Sequence, residues 1–307
     1  MSNRPMTVEG SRWGGVFPIP VTPFYRDLSV DIEGLRSEVR FCVESGAHGI
    51  VYPGVVSEFF TLSEAERLDC LKAVIEEVRG RIPVIAGVSS TSAPVASSLT
   101  RSACEVGANG YMATLPYVQH FFAPDLEYAV QYFEGIAAAG SGKPIILQNA
   151  RIGYPMPLRL IPTLVARVPA IRYLKQETSP PTHELSAAIA MTRDVVEGVF
   201  GGLGGIYLLS ELDRGAAGSM PAPPFVDVLV QVWNSAIAGN RDRARTLLAK
   251  LGSLFTYELM YNVAVIKEVL KRRGVIEQTS CRVPVPHLDE VDLRELDELL
   301  AHAGIVG

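Results

Sequence analysis

Gly46-Ala47-His48-Gly49, Gly107-Ala108-Asn109-Gly110 and Gly215-Ala216-Ala217-Gly218 repeat one pattern, G-A-x-G, and each copy stands between a helix-like segment and a short apolar run. The first glycine accepts the positive φ that ends a helix, and the second lets the corner pack closely as the chain turns into a strand. Outward from these corners, short apolar runs bounded by Gly or Pro alternate with longer stretches of helical period, which is the pattern of repeated βα units. Eight strands are predicted, over residues 16–20, 49–52, 83–88, 110–114, 144–148, 171–175, 195–200 and 216–220. Helices are predicted at 31–45, 63–78, 93–106, 124–139, 186–192 and 205–213. Asp31 and Ser63 read as N-caps, and Ser63-Glu64-Ala65-Glu66 has capping-box spacing. Eight such units make an α/β protein of the (β/α)8 TIM-barrel class, and right-handed crossovers favour its closure. A doubly wound open sheet is the alternative. Its dinucleotide-binding form wants G-x-G-x-x-G after the first strand, where this chain has Pro23-Phe24-Tyr25.

After Met220 the pattern changes. Pro221-Ala222-Pro223-Pro224 punctuates the chain, and helical segments follow at 225–238, 241–251, 256–273 and 291–302 with no strand between them. The expected organisation is a barrel with the active site over residues 1–220 and a C-terminal helical region over 221–307. With 48% hydrophobic and 20% charged residues, the 307-residue chain has ample material for a core and no compositional sign of disorder. A net charge of −5, with no cluster of Lys and Arg among aromatics, points away from nucleic acid. No apolar run approaches the roughly 18 residues of a membrane span, and Met1 to Gly15 lacks a signal-peptide core. A cytoplasmic protein with no membrane partner is expected. Cys42, Cys70, Cys104 and Cys281 are widely spaced and read as reduced. The five histidines show no metal-ligand spacing, so no metal is expected.

One octapeptide carries the chemistry. Ile171-Arg172-Tyr173-Leu174-Lys175-Gln176-Glu177-Thr178 brings a lysine to a strand end, where reacting groups of alternating β/α proteins sit. An amine held partly out of water can lose its proton and attack a carbonyl. Most lysines are solvated surface residues, so the octapeptide alone leaves both readings open.

The wider pattern narrows the choice. Tyr52-Pro53-Gly54-Val55-Val56-Ser57-Glu58, Pro144-Ile145-Ile146-Leu147-Gln148-Asn149, Lys175 and the Gly215 to Met220 corner follow in order along the chain. They are flanked by Gly15-Val16-Phe17-Pro18 with Val21-Thr22-Pro23-Phe24 and by Asn262-Val263-Ala264-Val265-Ile266-Lys267. Together they resemble the class I dihydrodipicolinate synthase / N-acetylneuraminate lyase superfamily from about Gly15 to the end. The resemblance implies a (β/α)8 barrel whose Lys175 forms a Schiff base with a small 2-oxo acid, with no other cofactor. A homotetramer or homodimer is the expected assembly.

The departures from the family pattern are informative. Its two hydroxyl residues after the second strand are Val55 and Val56 here, and its strand-five tyrosine is Gln148, which does not titrate. The tyrosine usually donated across a subunit interface matches Val118, with Tyr117 before it. Losing that relay weighs against carbon–carbon chemistry, where a C4 oxygen must exchange a proton, and fits loss of water from a 2-keto-3-deoxy sugar acid. Gln148-Asn149, Ser57-Glu58, the Tyr173 to Glu177 run and Glu197-Gly198 look like the L-2-keto-3-deoxyarabonate dehydratase branch. That branch has Q-D-A-P where this chain has Gln148-Asn149-Ala150-Arg151. A hydro-lyase is therefore expected. The alternatives are a pyruvate-releasing aldolase, a dihydrodipicolinate synthase-like condensation, and a non-catalytic barrel that binds a sugar acid.

By this resemblance Lys175, Gln148 and Tyr117 are the expected catalytic residues. Val55, Val56, Ser57, Glu58, Asn149, Gly198 and Gly201 are expected around the substrate. Each has a plainer reading. Glu58 can support the helix that starts at Ser63, and Asn149 can satisfy loop backbone. Arg151 offers a fork for a carboxylate, and Tyr117 and His120 are ionisable. The run Gly201-Gly202-x-Gly204-Gly205 looks like a phosphate cradle, but in this family such a loop simply lets substrate approach.

Overall fold

The computed structural model describes residues 12–116, 125–150 and 152–305. Eight strands alternate with helices from the start. In chain order they are β1 Gly15–Val16, α1 Ile32–Glu44, β2 Ile50–Tyr52, α2 Glu64–Val78, β3 Val84–Gly87, α3 Ala93–Glu105, β4 Gly110–Ala113 and α4 Leu126–Ala139. There follow β5 Ile145–Asn149, α5 Ile161–Arg167, β6 Ile171–Gln176, α6 Pro181–Thr192, β7 Gly198–Gly201, α7 Leu208–Asp213 and β8 Gly218–Ser219. The C-terminal helices are α8 Val226–Ile237, α9 Arg241–Ala249, α10 Gly252–Tyr261, α11 Val263–Arg272 and α12 Glu290–Ala303.

All strand pairs are parallel, in the order β1-β8-β7-β6-β5-β4-β3-β2. Two further backbone bonds, His48 N to Val16 O at 2.9 Å and Val51 N to Pro18 O at 3.1 Å, join the first strand segment to the second and close the ring. The expected (β/α)8 barrel is thus present. Gly46, Gly107 and Gly215 have φ of +84°, +97° and +90°, as helix-ending glycines require. Their partners are packing glycines. A Cβ on Gly49 would come within 2.2 Å of the Phe17 ring, and one on Gly218 within 2.0 Å of the Gly15 carbonyl oxygen.

The sheet divides the core in two by strand alternation. Val51, Ile85, Met112, Ile146, Tyr173 and Phe200 point into the barrel, while Ile50, Val84, Ile145, Leu147, Leu174 and Val199 pack under the helices. At one end of the inner core Trp13 stacks on Tyr173 with centroids 4.9 Å apart. A register shift between Ile145 and Ile146 aligns Gln148 with Lys175 on the neighbouring strand, so both point inward.

Local signals explain most element starts. Asp31 accepts the Gly34 N–H, and Ser63 and Glu66 form the reciprocal capping box. Three helix readings change. Segment α5 was masked in the sequence by Pro157 and Pro162, and α6 starts at Pro181, not at residue 186; proline near the first helical position leaves no bond unmade. The helix expected over 256–273 is two, broken at Asn262 with φ 50° and ψ −130°. Beyond residue 220, α8 completes the eighth βα unit, its Val226, Leu229 and Val230 lying in the same core as Val16 and Leu35. Among the described residues no helix is long and apolar enough to cross a membrane.

Candidate active site

At the ends of β5, β6 and β7 a cavity of ≈ 410 Å³ opens, with Val55, Val56, Gln148, Lys175 and Glu177 in its wall. It sits at the carboxyl ends of the strands, where barrel loops converge. Inward alternation from Tyr173 places the Lys175 side chain, 4% exposed, at this opening. Its Nζ lies 3.0 Å from Glu177 Oε2. Gln148 Nε2 donates to the same carboxylate oxygen at 2.7 Å, and the Leu203 N–H donates to Oε1 at 3.2 Å.

Burial pushes the Glu177 carboxyl up, but the Lys175 charge, with the bonds from Gln148, Lys175 and Leu203, holds it below its ordinary value. Glu177 is thus a carboxylate fixed beside the lysine amine. The glycine loop makes this possible. A Cβ on Gly202 would come within 2.1 Å of Glu177 Oε1 and 3.0 Å of Lys175 Cε. Leu203 takes φ 50°, a left-handed conformation uncommon for a side-chain-bearing residue, and presents its N–H to the carboxylate.

Val55 and Val56 line the cavity, and their amides donate to no atom among the described residues. Ser57 does not join them. It is fully buried, donates to the Pro20 carbonyl and accepts the Gly54 N–H, so its hydroxyl staples the turn. Glu58 is also corrected. With φ 56° it turns away from the cavity, pairs with buried Lys267 at 2.7 Å and accepts the N–H groups of Arg282 and Val283. Asn149 follows Gln148 on β5 and therefore faces outward. Its amide is spent on Met156 and Gln176.

Both glycines proposed around the substrate belong elsewhere. Gly198 pairs with Tyr173 two positions deeper than Lys175, and its bare face admits Ala217 and the Tyr173 ring. Gly201 faces outward, where a Cβ would strike the Glu211 carboxyl at 2.1 Å. The loop glycine that meets Lys175 is the next one, Gly202. Tyr117, His120 and Arg151 lie outside the described residues.

Two further acids were not singled out in the sequence. Glu211 of α7 is buried behind Gly201. Burial pushes its carboxyl up to about 7, the nearby Glu177 charge adding to this against the Ser219 hydroxyl, the Gly202 backbone and Lys175. Glu258 of α10 lines the cavity itself, and burial pushes it up to about 7 as well. A run containing Tyr257-Glu258 in a predicted helix carries no signal that it reaches a barrel mouth.

The arrangement offers an amine, a fixed carboxylate and a mostly apolar enclosure, which suits imine chemistry on a small carbonyl acid. The sequence profile of the dihydrodipicolinate synthetase family matches residues 12–303. The 4-hydroxy-tetrahydrodipicolinate synthase of Methanoculleus marisnigri is 32% identical over 297 residues, covering 94% of this chain and 99% of that one. The L-2-keto-3-deoxyarabonate dehydratase of Azospirillum brasilense is 26% identical over 279 residues, covering 90% of each. The crystal structure of chloride-inhibited dihydrodipicolinate synthase from Acinetobacter baumannii complexed with pyruvate superposes with a TM-score of 0.85 at 26% identity, over 96% of this chain and 100% of that one. Sequence and fold coincide over nearly the full length, and the chain belongs to the dihydrodipicolinate synthetase family, as one of its lyases.

Proposed function

We propose that this enzyme dehydrates a 2-keto-3-deoxy sugar acid through a Schiff base on Lys175. The observation that carries the reading is the convergence of Lys175, Gln148 and Glu177, in which the proton-handling group beside the amine is a carboxylate. The Lys175 ammonium passes a proton to the Glu177 carboxylate, the freed amine adds to the C2 carbonyl, and the carboxyl returns that proton as water leaves, so that a protonated imine forms. That imine acidifies C3–H, and the Glu177 carboxylate takes the proton to give an enamine. The enamine electrons then expel the C4 hydroxyl, which leaves as water with the proton returned by the Glu177 carboxyl. Hydrolysis of the unsaturated imine frees Lys175. With a terminal hydroxyl on C5, loss of a C5 proton and addition of one at C3 shift the double bond to C4 and C5, and the resulting enol becomes a 2-oxo acid semialdehyde.

Gln148 cannot titrate, so its role is to hold Glu177 in position by donating to Oε2. The idle amides of Val55 and Val56 are the donors for the C1 carboxylate. The 32% identity to a 4-hydroxy-tetrahydrodipicolinate synthase favours the rival reading, carbon–carbon bond formation or cleavage. A panel of 2-keto-3-deoxy pentonates and hexonates decides between them. Dehydration yields a semialdehyde or other unsaturation-derived 2-oxo acid without pyruvate, while pyruvate with an aldehyde would replace this reading by the aldolase one. Borohydride added with substrate should leave a stable adduct on the Lys175 peptide, and a barrel that only binds the acid should leave none.

A further inference from the structure

The wall of the cavity opposite in sequence to the barrel strands comes from α10. Phe255, Glu258, Leu259 and Asn262 recur at i, i+3, i+4 and i+7, which is one face of a helix, and all four line the cavity. The Asn262 N–H closes on the Glu258 carbonyl at 2.8 Å, and its left-handed φ of 50° ends the helix there, so that Asn262 still borders the cavity. Glu258 is half-buried in this wall. Its carboxyl makes no hydrogen bond or ion pair among the described residues, and it lies over Gly204, where a Cβ would stand 2.9 Å from Oε1. Lys175, Glu177 and Glu258 are the ionisable side chains of the cavity wall among the described residues. The single cation is committed to the imine at C2, and Glu177 is already bonded to Lys175, Gln148 and Leu203, so the described wall holds no free cation for the far end of a substrate.

We propose that Glu258 reads the end of the substrate remote from the imine, accepting a hydrogen bond from a terminal hydroxyl and turning away a terminal carboxylate. This rests on the Schiff-base reading above and narrows it to sugar acids with one acidic end. The physical reason is the cost of two carboxylates meeting in a partly enclosed wall with no cation among the described residues to share. A hydroxyl is accommodated there whichever protonation state Glu258 holds, since a carboxyl either accepts from it or donates to it. Apolar Phe255 and Leu259 on either side supply no competing donor.

The test compares a 2-keto-3-deoxypentonate with a 2-keto-3-deoxy acid that ends in a second carboxylate, in wild type, Glu258→Gln and Glu258→Lys. Wild type should favour the first by about a hundredfold or more in kcat/KM, an effect of like-charge exclusion. The preference should shrink by about tenfold in Glu258→Gln and further in Glu258→Lys, where the new ammonium attracts the second carboxylate. Pyruvate has no far end, so borohydride trapping of pyruvate on Lys175 should be the same in all three proteins and shows that each variant keeps its fold. Equal kcat/KM for the two acids in wild type, or a preference unchanged by both substitutions, overturns this proposal and leaves the Schiff-base reading standing. Failure of pyruvate and of both long acids to label Lys175 in wild type overturns the two together.

Discussion

Among the described residues two Lys–Glu pairs lie in the interior, and they behave as opposites. Lys267 and Glu58 are both 0% exposed, and every polar atom is used. Lys267 donates to Glu58 Oε1 and the Ser280 carbonyl and lies 4.6 Å from the Phe24 ring centre, while Glu58 Oε2 accepts from Arg282 and Val283. Lys175 has Glu177 as its one polar partner among the described residues and borders an open cavity. Burial and pairing are common to both. Reactivity follows from unused bonding capacity with room for a carbonyl beside it, and the first pair has neither.

Substituting each lysine sharpens the contrast. Lys175→Ala should lower turnover of any 2-oxo acid by about 10³-fold or more while the thermal midpoint stays close to wild type. Intact turnover would end the covalent mechanism. Lys267→Met should act the other way, leaving Glu58 charged and unpaired in the interior. The expected loss is about 3–5 kcal/mol in denaturant unfolding, partly recovered when Glu58→Gln is added. A Lys267→Met protein of normal stability would show that this pair is dispensable to the fold.

The acids separate in the same way. Glu177→Gln should cut turnover by about 10²–10⁴-fold with little change in stability, because the proposed mechanism makes this carboxylate the proton carrier. Glu211→Gln should leave chemistry largely alone and alter the pH dependence of stability. The Glu211 carboxyl is raised to about 7 in the folded chain, so between its ordinary value and pH 7 the folded state binds more protons than the unfolded one. Stability from this group is therefore present at pH 5 and lost by pH 8, by roughly 2–3 kcal/mol. Melting curves of Glu211→Gln at pH 5 and pH 8 should differ less than those of wild type.

The barrel was legible because its signals are local. Each G-A-x-G corner needs a positive φ at one position and an empty Cβ site at another, and both needs show in the residue type. That Lys175 borders the cavity was legible from its place at a strand end, and that Gln148 does so from its match to the family's strand-five position. Asn149 and Gly201 were misplaced by a single step of strand alternation, which sends adjacent residues to opposite faces. Ser57 and Glu58 are polar residues in a turn beside the site, and their true partners, Pro20 and Lys267, are remote in sequence. Glu258 was hidden for another reason. Reading 256–273 as one continuous helix conceals the break at Asn262 that ends α10 at the cavity.

Ring closure also sets a condition on how the protein is made. Gly15 pairs with Gly218, and Glu58 meets its cation 209 residues later. A chain still emerging from the ribosome has an open parallel edge at its first strand and an uncompensated carboxylate until almost all of it has been synthesised. Folding of this kind is slow, since distant segments must meet before their contacts reward the meeting. Until then the nascent edge is a template for pairing with another chain. Fragments that stop before β8 should accumulate as aggregates, and full-length yield should depend on how well the cell shields the unfinished sheet.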